Sequence, residues 1–340
     1  MFRNIIPASK HAIVEKALMR VFNKSGVEDI SLLTGGLSTA LVYKITLGNR
    51  NYLLRLVMSV DTLNDPVRQY LCMGLAAEAG IAPKVYYTSN EDGLAITDFI
   101  DARPLGNAFS TPSELLSALA GVIRAIHALP LFPPLVDFLD GVDMFIQQFK
   151  TSGMFPETIT AECFERYAEI RKHYPRHEMG AVSSHNDLNP NNILFDGKKI
   201  WIVDWEAAFR NDKYVDLAII AKSFAADPKK EDHLLQSYFS RTPTGYERAC
   251  FFIMKQVCSM YYAMVMLNLA TASKPADYLH DANMNIPELA DFYSDLTQKK
   301  IALETYEGKL LYGKTLLNEM LRSMKSTTFS QSMQLIRSDA

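Results

Sequence analysis

Only two tryptophans, Trp201 and Trp205, and four cysteines occur among the 340 residues. The cysteines (Cys72, Cys163, Cys250 and Cys258) form no C-x-x-C pair and no metal-ligand spacing. That argues against a disulfide framework or a structural zinc site and for buried free thiols in a reducing compartment. Neither sign of charge is in excess: 35 Lys and Arg stand against 38 Asp and Glu, a formal net charge of −3. The basic surplus of a general nucleic-acid binder is therefore missing. The opening MFRNIIPASKHAIVEKAL has no long apolar run, so no signal peptide is expected. One uncharged stretch, QVCSMYYAMVMLNLATAS at 256–273, contains Gln, Asn, Ser and Thr and two adjacent tyrosines. A buried helix is the expected reading, not a membrane span, and the expected location is cytoplasmic. Hydrophobic residues make up 48% of the chain, enough for one large or two closely packed domains.

The patterning changes along the chain. Residues 10–23 carry Ile13, Ala17 and Val21 at helical spacing. ALVYKITL at 40–47 and YLLRLV at 52–57 read as strands around the turn cluster GNRN. A helix over 66–79 is expected to end at Gly80, and VYYTS and LAITDFI follow as strands around NEDG. After DARPL, Thr111-Pro112-Ser113-Glu114 marks a helix start. Helical segments are expected near 141–150, 160–173, 213–226 and 231–239, then almost without interruption from 245 to 325. KSTTFSQSMQLIRSDA reads as a loose tail. The expected fold class is α+β. A small antiparallel β-sheet lobe spans 1–98, a large mainly helical lobe spans 99–325, and a tail spans 326–340.

The most informative stretch is SSHNDLNPNNILFDGKKIWIVDWE at 183–206. ILF and IWIV are short β-type runs, and DGKK supplies the turn between them. Pairing them as a hairpin brings Asn192 and Asp204 together at one end. An amide oxygen and a carboxylate there form a hard oxygen site suited to Mg²⁺, which takes few protein ligands plus water and phosphate. Asp187, five residues before Asn192, sits in a loop that can aim at the same place. The order H-x-D-x-x-x-x-N followed by Asp is that of protein-kinase-type phosphotransferases, in which positioning and charge neutralisation dominate the chemistry. Asn and Asp also favour turns, and Asn189-Pro190 and Asp196-Gly197 are assigned to that role. His185 is assigned a structural hydrogen bond. Upstream, LTGGLSTALVYKI offers Gly35 and Gly36 for a backbone nest and Ser38 and Thr39 as phosphate hydrogen-bonding groups. Arg55 in YLLRLV is the matching cation on the next strand.

Together, LTGGLST, LLRL, GIAPKVYY, HNDLNPNNIL and VDWE resemble the aminoglycoside phosphotransferase and choline/ethanolamine kinase superfamily, a branch of the protein-kinase-like fold. VDWEAAFRNDKYVDLA is most similar to the bacterial choline-kinase type. The resemblance covers roughly residues 30–222. It implies a bilobal protein-kinase-like fold, ATP and Mg²⁺ as cofactors, and phosphorylation of a small-molecule hydroxyl. By the motif match Asp187 is the catalytic base, and Asn192 and Asp204 are metal ligands. Asp216 braces the catalytic loop, and Glu206 lies near metal or substrate. The backbone of Asp98, Phe99 and Ile100 would hold adenine. Two departures stand out. Arg55 replaces the usual lysine, as in choline kinases. The helix acid that normally pairs with that cation falls at Gln69, with Glu78 more than two turns later.

The acceptor is less marked. Choline kinases share an aromatic box for the quaternary ammonium, where cation–π attraction acts. Both tryptophans here lie in the hairpin region, and the later chain offers Tyr261, Tyr262, Tyr278, Phe292 and Tyr293 instead, residues that serve as core as readily as cage. Between Lys274 and Lys299 stand Asp277, Asp281, Glu288, Asp291 and Asp295 with no Lys or Arg. The run would draw a cation or form a solvated helix face. The leading expectation is an ATP-dependent kinase for a small, cationic amino alcohol such as choline or ethanolamine, with Tyr261 and Tyr262 as acceptor-binding candidates. An aminoglycoside phosphotransferase and a catalytically weak nucleotide-binding pseudokinase are the alternatives. No nucleic-acid partner and no membrane span are expected.

Overall fold

The computed structural model describes residues 2–33, 40–62, 64–176 and 180–339. In chain order the elements are α1 (His11–Phe22), β1 (Asp29–Leu32), β2 (Leu41–Leu47), β3 (Arg50–Leu56), α2 (Pro66–Glu78), β4 (Val85–Ser89), β5 (Leu94–Asp98) and α3 (Pro112–His127). Then come α4 (Phe138–Ser152), α5 (Glu157–His173), β6 (Ala181–Ser184), β7 (Ile193–Phe195), β8 (Ile200–Ile202), β9 (Phe209–Asp212), α6 (Lys213–Phe224) and α7 (Pro228–Phe239). The last are α8 (Gly245–Ala272), α9 (Leu289–Thr297), α10 (Tyr306–Met324) and α11 (Thr327–Asp339). The mixture is the α+β composition expected.

Two compact units emerge from the contacts: Met1–Leu135 with Val182–Asn211 and Ser223–Tyr238, and Val136–Ala181 with Asp212–Lys222 and Phe239–Ala340. This division differs from one at residue 98. The catalytic-motif loop and its hairpin group with the first 135 residues.

In the first unit five strands form an antiparallel sheet in the order β1-β2-β3-β5-β4. Gly48 and Asn49 both take positive φ (58° and 61°), the backbone of a two-residue hairpin between Leu47 and Arg50. Strand alternation then sorts the side chains. Tyr43, Ile45, Tyr52, Leu54, Leu56, Leu94 and Ile96 are buried in one core with Val14, Ala17 and Leu18 of α1. The register puts Val42, Arg55 and Ala95 side by side on the opposite face, next to Lys44, Leu53 and Thr97. Arg55 is thus aimed away from the α1 core.

Local signals set the helix ends. Asp65 caps α2 by accepting from the Val67 and Arg68 amides, and Pro66 occupies the first turn. Gly80, at φ 71°, turns the chain out of it. Thr111 caps α3 through the Glu114 amide, but the Glu114 carboxylate accepts from Ser110 N, one residue earlier than a reciprocal capping box requires.

The second unit is helical, centred on α8, and Thr244 and Glu247 form a complete capping box at its start. This helix is long and apolar enough to cross a membrane by length and composition, yet 67% of its most apolar window is buried inside the protein. α10 packs closely on it: a Cβ added at Gly313 would lie 2.6 Å from the Leu267 side chain. The helical run expected from 245 to 325 is broken over 274–288 and 298–305. All four cysteines are free and buried.

The expected loose tail is instead α11. Its polar composition hides three residues at i, i+4 and i+7: Phe329, Met333 and Ile336 are each at most 3% exposed. Ile336→Ala should therefore destabilise the protein by about 2–4 kcal/mol. Urea denaturation reads this, and a loss under about 0.5 kcal/mol would mean that α11 docks without contributing to stability.

Candidate active site

The site grows out of the β7–β8 hairpin. Ile193 pairs with Ile202, Leu194 with Trp201 and Phe195 with Ile200, as the two apolar runs predicted. Asp196 closes the turn, its Oδ1 accepting from the Lys198 and Lys199 amides and its Oδ2 from Trp201 Nε1. These hydrogen bonds, that of Trp201 first, hold the Asp196 carboxyl down at about 2. At the other end Val203 N donates to Asn192 O (3.0 Å), so Asn192 and Asp204 flank the last rung of the ladder. The hairpin is also tied to the loop after α2, where Ile202 N meets Ile81 O at 3.0 Å.

Asn192 Nδ2 donates to Asp187 Oδ2 (3.0 Å) and to Asp187 O (2.9 Å). With the nitrogen engaged, the amide's Oδ1 is the end left to act as a ligand. Asn189 Nδ2 also donates to Asp187 Oδ2 (3.0 Å), so two amides fix the carboxylate's orientation. His185 is fully buried; its Nε2 lies 3.0 Å from Val203 O and its ring stands edge-on to Trp205. It plays the structural part assigned to it and ties the Asp187 loop to the residue before Asp204.

Asn186, the next residue in the loop, is a hub. It takes a left-handed φ of 63°, which Asn tolerates. Its Nδ2 donates to Ala207 O (2.9 Å), and its Oδ1 accepts from Ser184 Oγ (2.9 Å) and Asn211 Nδ2 (2.7 Å). The loop bearing Asp187 is thereby bound to the chain following Asp204. Asp204 is left-handed as well, at φ 63°. A non-glycine residue in that region carries strain of order 1 kcal/mol, and such strain gathers at functional sites.

Arg55 reaches this segment from β3. Its Nη1 donates to Asp204 Oδ1 (3.1 Å) and its Nη2 to Glu206 Oε2, while the side chain is only 14% exposed. Burial alone would lower the Arg55 pKa; Asp204 and Glu206 outweigh it, and the net shift is upward. The acid absent from position 69 is therefore supplied by Glu206, from a different element. Gln69 is buried in α2. One residue earlier, Arg68 (4% exposed) donates Nη1 to Glu206 O (2.9 Å) and Ala208 O (2.6 Å). The sequence reading missed Arg68. Its one signal was an arginine in the apolar stripe of a helix, which lone sequence reading assigns to solvent.

The segment expected to hold adenine, Asp98 to Ile100, lies at the end of β5. Asp98 commits its carboxylate to Arg50 Nη2 (2.8 Å) and Tyr86 OH (2.9 Å), beside a cleft of about 310 Å³ between Asn49–Asn51 and Asp98–Asp101. Thr97 Oγ1 donates to Asp98 O (3.2 Å), and Lys44 Nζ stands 4.9 Å over the Phe99 ring. Among the described residues the backbone groups of Phe99 and Ile100 make no hydrogen bond, which fits a role in holding the edge of a base. Gly35, Gly36, Ser38 and Thr39 lie outside the described residues.

The donor set fits Mg²⁺. Asn192 offers a fixed amide oxygen, and Asp204 keeps Oδ2 after Arg55 takes Oδ1. Among the described residues no three His, Cys, Asp or Glu side chains form a cage, as expected for an ion completed by phosphate and water.

The phosphotransferase enzyme family (APH) matches residues 29–252, a span that includes this whole arrangement. The chain belongs to that family. Over 79 residues it is 34% identical to the protein LicA of Haemophilus influenzae, covering 23% of this chain and 28% of that one. The chain spans only 13% to 28% of the length of the curated relatives it matches. A choline/ethanolamine kinase family protein from Mesorhizobium loti has TM-score 0.69 at 18% identity, over 96% of this chain and 99% of that one. Choline kinase from Cryptosporidium parvum has TM-score 0.67 at 12% identity, over 97% and 98%. These likenesses establish the protein-kinase-like α+β fold of this chain.

Three candidates fall in the second unit. Asp216 is fully buried at the start of α6. Tyr261, partly buried, packs against Phe138 and Phe145 of α4, whereas the Tyr262 ring faces the Lys222 ammonium. The acidic run is largely neutralised: Asp281 pairs with Lys314, Glu288 with Arg322 and Asp295 with Lys300.

Arg68→Met should cost roughly 2 kcal/mol, because two carbonyls lose their charged donor in a buried place, and Arg68→Lys should recover part of it. Urea midpoints read both, and an unchanged Arg68→Met midpoint would show that the segment stands without Arg68. Asp196 gives a pH test. Its folded pKa lies below the ordinary one, so its contribution is complete above about pH 4 and is lost as pH falls towards 2. Asp196→Asn should be less stable than wild type at pH 7, and the gap in thermal midpoint should close between about pH 4 and pH 2. A gap that stays constant would contradict the depressed pKa.

Proposed function

We propose that this phosphotransferase is an ATP- and Mg²⁺-dependent kinase that phosphorylates a hydroxyl of a small amino alcohol of the choline or ethanolamine kind. The observation that carries the reading is the amide lock between Asn192 and Asp187. It sets a metal-ligating oxygen and an acceptor-facing carboxylate in one fixed relation. Family membership supports phosphoryl transfer. The names of the Mesorhizobium and Cryptosporidium proteins, choline/ethanolamine kinase and choline kinase, support the acceptor class.

Each residue has a task in this reading. Asp187, oriented by Asn189 and Asn192, holds the acceptor hydroxyl and takes its proton as the oxygen attacks the γ-phosphorus. The bond from that phosphorus to the bridging oxygen breaks, and ADP leaves with the electron pair. Asn192 and Asp204 would hold Mg²⁺, which neutralises phosphate charge when bound. Arg55 presents a guanidinium towards the phosphates, and Glu206 holds it in place. The backbone at Phe99 and Ile100 would take the base.

ADP release by the purified protein with MgATP should appear with choline or ethanolamine and stay at background with aminoglycosides. Asp187→Ala should lower turnover about 10³-fold with ATP binding nearly intact. Asp204→Ala should weaken Mg²⁺-ATP binding by at least the 10- to 100-fold that loss of an outer-shell partner costs. Full turnover in Asp187→Ala would refute the mechanism. Release with aminoglycosides alone would move the chain to the other acceptor class.

A further inference from the structure

Lys222 on α6 is a buried cation without an oxygen partner. Its Nζ lies 4.8 Å from the ring centroid of Tyr262 on α8 and 5.0 Å from that of Tyr312 on α10. The phenol of Tyr293 on α9 lies near enough to act on it electrostatically, its hydroxyl 3.1 Å from that of Tyr312. Phe292 stacks on Tyr312 at 4.8 Å, with an interplanar angle of 9°, and holds that ring in place. Four helices thus contribute to one cage. The Nζ atom is buried and has no hydrogen-bond partner among the described residues, while the stem is partly exposed.

The contrast with Lys314, a fully buried lysine, is instructive. Its ammonium donates to Asp281 Oδ2 (3.0 Å) and Asn283 O (3.1 Å). A primary ammonium carries three N–H donors, and burying them without acceptors is costly. Lys222 meets the ring faces of Tyr262 and Tyr312, with the Tyr293 phenol and the Cys258 thiol close enough to act on it electrostatically. Its pKa is lowered by burial, against the opposing influence of Tyr293 and Cys258. Ring faces without acceptors suit a cation that has no N–H, that is, an alkylated ammonium. The cage is therefore chemically matched to a kind of ligand that its resident is not.

We propose that Lys222 is a specificity determinant that fills this tyrosine cage from within and keeps alkylammonium ligands out of it. The chain as it stands satisfies the cage with its own cation. An incoming quaternary ammonium must displace the lysine, so discrimination against such groups is built into α6. The inference concerns binding and stands apart from the acceptor assignment.

Tetramethylammonium is the probe, titrated by calorimetry into the full-length protein. Lys222→Ala, which empties the cage, should bind it at least tenfold more tightly than wild type. Lys222→Met removes the charge but keeps the space filled, and it should stay as weak as wild type. Adding Tyr312→Leu to Lys222→Ala should abolish the gain. Thermal midpoints report folding, and Lys222→Ser is a second opening variant should Lys222→Ala fail to fold. Equal affinity in wild type and the opened variants, or no binding by folded opened variants, overturns the proposal. A gain in the opened variant alongside no ADP release with any acceptor would support this inference while defeating the kinase reading.

Discussion

A guanidinium placed on an inner sheet face has to be neutralised, and much of the candidate site follows from how this chain does it. β-sheet alternation turns Arg55 away from the α1 core, where Leu54 and Leu56 on either side are fully buried. The charge cannot reach bulk water, since only 14% of the side chain is exposed. Breaking a buried pair by deleting one partner is far costlier than an exposed pair is worth. The segment carrying Asp204 and Glu206 is therefore held where the two carboxylates meet Arg55.

The means of holding that segment reverse the usual distribution of charge. In the protein-kinase pattern a helix acid pairs with a strand cation. Here the helix supplies a cation, Arg68, and spends it on the backbone carbonyls of Glu206 and Ala208. The acid comes from that same anchored turn. A neutral Gln69 is then no defect, because the cation it would have paired with is satisfied elsewhere. A shift of α2 would be felt at Glu206 through Arg68, so the helix and the chain at Asp204 remain coupled with the donor and acceptor roles exchanged.

What the sequence made legible is what short-range chemistry decides. The β7–β8 hairpin, the Gly48-Asn49 turn, the caps of α2 and α3 and the pairing of Asn192 with the Asp204 end all depend on residues a few positions apart. The Glu206 partnership spans about 150 residues and obeys no local period, so Gln69 looked like a missing part. α11 was misread for a different reason. Its apolar residues are few and its polar ones many, and only the surface it meets shows that Phe329, Met333 and Ile336 suffice. The acidic run from Asp277 to Asp295 looked like an open field for the same reason, because Lys314 and Arg322, which neutralise part of it, stand on α10.

The two lysine environments show why residue type alone could not name the acceptor. Tyr262 was a fair candidate for holding a cation, and the structure shows it holding one, but the cation is Lys222. Cation–π attraction does not distinguish a side chain from a ligand. The absence of oxygen acceptors does distinguish them, since a primary ammonium wants three and a methylated one wants none. Lys314, with its carboxylate and carbonyl, is a cation in a site made for it. Lys222 is a cation that meets ring faces with no hydrogen-bond acceptor on it, and that mismatch, more than the count of aromatic rings, sets it apart from Lys314.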